Sequence, residues 1–421
     1  MVASTDIKFF VHTNNNAPQL QNAYGSMINV LDACLIDGIQ IGVVSSLTAL
    51  GNTVTVTFGA AHNLMQYQVI KIAGAAQAEF NGEHRILTIP NSSSLTFELA
   101  TAPSVPTATG AISASLPPLG WEKPFSSSNP NGGGKAAYRS LSLLLPSRPF
   151  LRVVDELDPA YTATYAKYAK VGIVEDMTDI DTMLGGQAPF DAALPNKNWV
   201  GTGSGTSAIN GWAKWFYATG GAETSKALKT IIPSNGARSW VLVGNGDTFY
   251  VFNKSQASAN NLLNPNGFGK LNTLSKIGAS PWFLASQDDY TAASTSAYAG
   301  FTPLTTSNAD AGLVVNMLRN YKNEATASVA RSFVISGSSQ SSGYSTTISG
   351  PDGDIAAFSS EYILAEDQKI PRGVVPILRW LHQRQPYAHL QALVDDNRMK
   401  LACDCVSYTY QGQILFDLGE L

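Results

Sequence analysis

Polar and apolar residues alternate most strictly from Asn52 to Phe58, in "NTVTVTF". A period of two marks a strand with one face buried and one wet. The alternation returns in "YQVIKIAG" (67–74), "HRILTI" (84–89) and "SLTFELA" (94–100), with turn residues between them at Gly59, Asn63, Asn81-Gly82 and Asn91-Ser92. Strands at this spacing predict a small β-sandwich or barrel. We bound it at 43–115, where proline-bracketed "TAPSVPTATGAISASLPP" gives way to a different texture. Asn81-Gly82 is the residue pair expected to make the hairpin turn. On such a strand Glu83 and His84 point to opposite faces and cannot act on one atom.

Elsewhere the pattern changes. "AYGSMINVLDACLIDGI" places Met27, Ile28, Leu31, Leu35 and Ile36 at helical spacing, with Gly38 as the stop. "DIKFFVHT", "RPFLRVVDE", "KVGIVEDM" and "KIGASPWFLAS" predict strands. "ARSWVLVGNGDTFYVFNKS" predicts a hairpin of two continuously apolar strands turning at Asn245-Gly246. "KLACDCVSYTYQGQILFDL" predicts a closing hairpin turning at Gln411-Gly412. The start of "ADAGLVVNMLRNYKNEATASVARSF" fits a helix, and "RGVVPILRWLHQRQPYAHLQAL", broken by proline, fits a loop. The fold expected is mainly β with minor helix (α+β). Residues 1–42 and 116–421 form a β-rich main domain, interrupted by the small module at 43–115.

Composition sharpens this picture. Of 421 residues 44% are hydrophobic, enough for sizeable cores, but only 14% are charged, and 36 Gly and 21 Pro supply turns. Low charge on a β-rich chain fits a surface that meets other subunits. Net charge is −4 with no Lys/Arg run, so neither nucleic acid nor an anionic membrane is an expected partner. The start has no signal-peptide pattern, and no apolar run reaches spanning length. Cys34, Cys403 and Cys405 are too few and too odd for a disulfide framework.

The search for chemistry yields no catalytic, cofactor-binding or metal site. Gly201 to Ser207 is glycine-rich but lacks the lysine of a phosphate loop. His12, His62, His84, His382 and His389 stand in no metal-binding pair. Glu175, Asp176, Asp179 and Asp181 cluster without the calcium-loop pattern and read as a solvated turn. Tyr161, Tyr165 and Tyr168 read as packing. Trp199, Trp212, Trp215 and Phe216 are the candidate interaction patch, a platform for sugar stacking if exposed, although core packing is the safer reading.

Several segments, in order, resemble virion structural proteins of tailed bacteriophages: "IKFFVHTNNNAPQLQNAYGSMINVLDACLIDG", "LGWEKPFSSSN" with "AAYRS", "RPFLRVVDE" with "VEDMTDIDT", "ARSWVLVGNGDTFYVF", and "IPRGVVPILRWLHQRQP" leading to "GQILFDL". That resemblance implies a structural role in the tail or baseplate and an immunoglobulin-like or similar inserted module. It implies assembly with copies of itself in a symmetric ring (trimer or hexamer) and with other tail proteins. The expected place is the virion, after synthesis in the host cytoplasm. The expectation is a protein without enzymatic activity. A receptor- or glycan-binding tail-tip protein, with a host glycan as partner, and a capsid decoration protein are the alternatives.

Overall fold

Strand β1 (Lys8–Val11) and helix α1 (Ser26–Asp32) precede the first large run of strands. The computed structural model describes residues 2–204, 211–221, 231–257, 262–273, 281–288, 304, 315–333, 359–366, 370–381, 385–407 and 410–421. The helix predicted from its apolar spacing is present and buries Met27, Val30 and Leu31. It continues through a wider turn at Ala33–Asp37 and stops at Gly38, whose φ of 77° is open to glycine. A Cβ at Gly38 would also lie 2.7 Å from the Leu116 carbonyl oxygen, so this stop is tight against the strand that follows in space.

Strands β2 (Ile39–Leu50), β3 (Thr53–Phe58), β4 (Val69–Ala75), β5 (Gly82–Arg85), β6 (Thr88–Asn91), β7 (Ser94–Glu98) and β8 (Gly110–Leu116) form one seven-stranded antiparallel sheet, in the order β5-β4-β8-β2-β3-β7-β6. β2 pairs with β8 along its first half and with β3 along its second. The sheet rolls over so that the His84 ring on β5 stacks on Phe97 of β7, 4.0 Å between centroids. Val54, Val56, Ile70, Ile72, Leu95 and Phe97 fill the inside. The bend between β4 and β5 differs from expectation. A single 3₁₀ turn, Ala78–Phe80, reverses the chain, and Asn81 is extended. Asn81 instead uses its side-chain amide to bond both the N–H and the C=O of Ala75, at 3.0 and 2.8 Å. Its amide thus serves as a surrogate backbone unit, and Gly82 is already the first residue of β5.

Strands β9 (Trp121–Ser128), β10 (Gly133–Ser140), β11 (Phe150–Glu156), β12 (Lys167–Met177), β13 (Met183–Ala188) and β14 (Ala213–Ala218) build most of a second sheet. The rest of the chain supplies β15 (Trp240–Gly244), β16 (Thr248–Asn253), β17 (Asn264–Lys270), β18 (Asn272–Thr273), β19 (Trp282–Ala285), β20 (Gln287–Asp288), β21 (Val315–Leu318), β22 (Ala327–Phe333), β23 (Ser359–Glu366), β24 (Ile370–Leu381), β25 (Ala392–Asp395), β26 (Arg398–Ser407) and β27 (Tyr410–Glu420). β20 joins the second sheet; the others, with β1, form a third sheet of thirteen strands among the described residues.

The third sheet curls on itself. Leu263, just before β17, bridges Cys405 in β26, and the Val406 N–H donates to the Leu263 carbonyl at 2.9 Å. Inside the curl lie Val241, Val243, Tyr250, Phe252, Phe283, Cys403, Cys405 and Phe416. The opposite face, with Trp240, Leu242, Phe249, Val251, Trp282 and Leu284, packs in the core shared with Val171, Ile173, Trp215 and Tyr217 of the second sheet. Each apolar side chain of β15 and β16 therefore enters one core or the other. That is why these strands read as unbroken apolar runs, with Asn245, Gly246 and Asp247 between them.

Three expectations fail here. The "ADAGLVVNMLRN" segment is described only from Val315, and Val315–Leu318 is a strand paired on both sides, with β19 and β22. Two sheet partners override a helical spacing that spans barely a turn. The first part of the proline-broken stretch, Arg372–Leu381, lies in the twelve-residue strand β24, and Pro376 sits where its register against β23 shifts, so no ladder bond is lost; 385–391 are loop, as expected. Gln411 and Gly412 are inside β27, opposite Val406 and Cys405, and the pairing runs on to Ser407 opposite Tyr410; 408–409 lie outside the described residues. "SGSSQSSGYSTTISGPDGD" and His382 also lie outside them.

Candidate functional site

β24 pairs with β27 only from Leu378 to Trp380. Before that it swings away and pairs instead with β18, through Gly373 and Val374. Between these two pairings Ile377 has φ 71°, a left-handed conformation costly for a β-branched residue. The Tyr250 hydroxyl fixes the bend by donating to the Pro376 carbonyl at 2.6 Å. The two diverging strands leave a fork, and the fork opens a cavity of about 470 Å³. Asp396 and Asn397, at φ 50° and 56°, make the two-residue turn between β25 and β26 that closes its far side.

Charged side chains of both signs line it. Arg398 donates to both Asp417 carboxylate oxygens, at 3.0 and 2.8 Å, and that bond holds its guanidinium above the usual arginine range. Lys400 pairs with Asp395, and Arg379 stands 3.9 Å from Glu361. Val374, Val375, Pro376, Leu378 and Ile7 form an apolar floor, with Asn272 and Ser359 on the wall. Sequence reading missed this site because its walls come from six strands brought together by a register shift. The one local signal was Pro376 within an otherwise strand-like run.

A second group of ionisable residues is buried between α1 and the second sheet. Asp155 accepts the Met27 N–H at 3.0 Å and the Tyr217 hydroxyl at 2.5 Å. It thereby caps a helix that has no side-chain cap of its own. Burial pushes the Asp155 carboxyl up to about 6 against these bonds, and the same burial drives the Tyr217 hydroxyl well up. Nearby, Lys170 and Asp158 form an enclosed ion pair at 2.5 Å, with Gly201 N–H donating to the same carboxylate at 2.9 Å. Burial lowers the Lys170 ammonium despite Asp158. Every charge here has a partner within the protein, the pattern of a structural latch.

The residues singled out from sequence fall as follows. Trp199, Trp212, Trp215 and Phe216 are all buried, so they form no exposed platform, which corrects the interaction-patch reading. Trp215 donates its N–H to the Ala285 carbonyl at 2.9 Å, between sheets; Trp199 lies under the Arg152 guanidinium at 4.5 Å; Phe216 packs on Tyr168. Their spread across separate cores follows from β-strand alternation plus a loop at Trp199. Tyr161 and Tyr168 pack together at 5.9 Å.

The acidic cluster is dispersed. Glu175 pairs with Arg319 at 2.5 Å, and Asp179 caps its own turn by accepting Asp181 and Thr182 N–H groups. Asp181 sits between Lys135 and Arg152, both at 2.7 Å; burial opposes its charge, but these cations hold its carboxyl below the usual range. His62 accepts the Leu64 N–H at 2.9 Å, and burial lowers both His62 and His84. Glu83 faces the other way and pairs with Lys8 at 2.9 Å. Among the described residues, no three His, Cys, Asp or Glu side chains converge as metal ligands. Among them, too, no helix is long and apolar enough to cross a membrane, which leaves membrane-crossing strands unaddressed.

No protein-family model matches the chain, and no curated protein does. Among solved structures it is similar to the phage phi92 endosialidase, with 8% identity and a TM-score of 0.17. The match covers 90% of this chain and 51% of that one, so the chain spans about half that protein's length. The expectation of a protein without enzymatic activity is corrected here, because the structure it is similar to is named for an enzyme. A likeness this distant gives this chain no activity of its own. The expectation had rested on missing motifs, and catalytic groups assemble from distant positions that motifs do not reveal.

Proposed function

We propose that this chain is a component of the tail or baseplate of a tailed-phage particle and acts through contacts between subunits. One observation carries the reading. The loop joining β10 to β11 holds Leu141, Leu143 and Leu144 at 52%, 80% and 96% exposure. Three bared leucines within four residues are an apolar tip, of the kind that marks a protein contact. The tip is built rather than loose. Ser140 donates to Asp247 at 2.7 Å, Arg148 donates to the Ser140 carbonyl at 2.9 Å, and the half-buried Leu145 packs against the main core. An ordered apolar anchor binds at low entropic cost.

The in-order sequence resemblance to tailed-phage virion proteins and the low content of charged residues support the same reading. Its partners would be copies of this chain in a ring and other tail proteins, with 43–115 an inserted β-module on the main domain. A capsid decoration role has the same chemistry at another location. Mass spectrometry of purified particles tests the proposal: the chain should be present in fixed stoichiometry, and its absence from particles would defeat it.

A further inference from the structure

We propose that the fork between β24 and β27 is a binding site for an uncharged, polyhydroxylated ligand, the chemistry of a neutral sugar ring. The volume, about 470 Å³, is in the range of small-ligand sites. The backbone at its edge is strained at Ile377, φ 71°, and Tyr250 holds it so. Bulges and strained residues of this kind gather at binding sites.

The lining selects the ligand's charge. Among the described residues, its cations Arg379, Arg398 and Lys400 each stand beside a carboxylate, and Asp396 makes four carboxylates to three cations. Among these residues an anion meets cations that already stand beside carboxylates, Arg379 the most loosely at 3.9 Å, and a net negative charge. A simple cation finds only Asp396, an exposed carboxylate worth little in water. Paired carboxylates and guanidinium groups still keep lone pairs and N–H groups, which suit hydroxyls that both donate and accept. The half-buried Val374, Pro376 and Ile377 of the lining suit the C–H face of a ring. The inference does not depend on the chain's place in a particle.

The test is an array of neutral and sialylated oligosaccharides probed with the full chain, followed by saturation-transfer NMR on the hits. Neutral oligosaccharides should bind, and their sialylated counterparts should bind at least tenfold more weakly. Two exposed wall residues give the variants, Asn272→Trp to fill the cavity and Glu361→Ala to remove an acceptor. Each should weaken binding about tenfold or more with an unchanged circular dichroism spectrum and melting temperature. The proposal is overturned by no binding to any neutral sugar, by tighter binding of sialylated ones, or by binding that both variants leave intact.

Discussion

The rolled sheet of β2–β8 and the hairpin β15–β16 are both antiparallel, yet they are buried differently. In β3 the buried Val54, Val56 and Phe58 alternate with exposed or half-buried threonines. In β15 and β16 every residue is buried, because odd and even positions enter two different cores. One sheet has a wet face, and the other is an inner wall. The difference teaches that alternation reports a single buried face, whereas a continuous apolar run reports layers on both sides.

The largest effect should come from the inner wall. Phe252→Ala should cost about 4 kcal/mol and its neighbour Val251→Ala about 2, each in a different core. Urea unfolding would measure both. In β3, Val56→Ala should also cost about 2 kcal/mol, but Thr55→Ala should stay within about 0.5. A large loss at Thr55, or none at one of the two β16 positions, would break the comparison.

Arg85 ties the rolled sheet to the third sheet that contains the hairpin. It is buried and donates to the carbonyls of Ser4, Ile7, Tyr67 and Leu418 at 2.6 to 3.2 Å. Burial lowers its guanidinium to about 10. Arg85→Ala should cost about 3 kcal/mol, since charged hydrogen bonds are lost and buried carbonyls are left unpaired. Hydrogen exchange should then quicken first in β1 and β27, where two of those carbonyls lie near or within the strands. Unchanged protection there would mean the regions are held by packing alone.

The second sheet also carries a pH signature, at Asp155 of β11. The Asp155 carboxyl sits at about 6 when folded, above the ordinary 3.8 of a solvated aspartate in an unfolded chain. Its contribution is thus fully present below about pH 4 and is lost as pH rises through about 6, up to about 3 kcal/mol. Asp155→Asn should flatten that slope in melts between pH 4 and 8. A slope that persists in the variant would place its source elsewhere.

Much of the architecture was legible because period-two and continuous apolar patterns are local. The β15–β16 hairpin, the strict alternation of β3 and the helix stop at Gly38 are each read from a short stretch of chain. β24 was hidden because Pro376 is a breaker by rule, and only a partner strand shows that its missing N–H faces a register shift. The reversal between β4 and β5 was misplaced because Asn81 bonds Ala75 with its side chain rather than turning. The fork cavity was invisible for the same reason that the tryptophans misled. Which strand faces which layer is decided by pairing between distant segments.

The smallest effect on stability should come from the leucine tip, whose side chains touch solvent in the single chain. Yet that tip carries the account's central claim. Light scattering on a sizing column compares the wild type with Leu143→Ser/Leu144→Ser. The account predicts a wild type heavier than one 44.7 kDa chain and a variant that falls toward that mass with an unchanged melting temperature. A wild type at the monomer mass, or an assembly that the double substitution leaves intact, would contradict it.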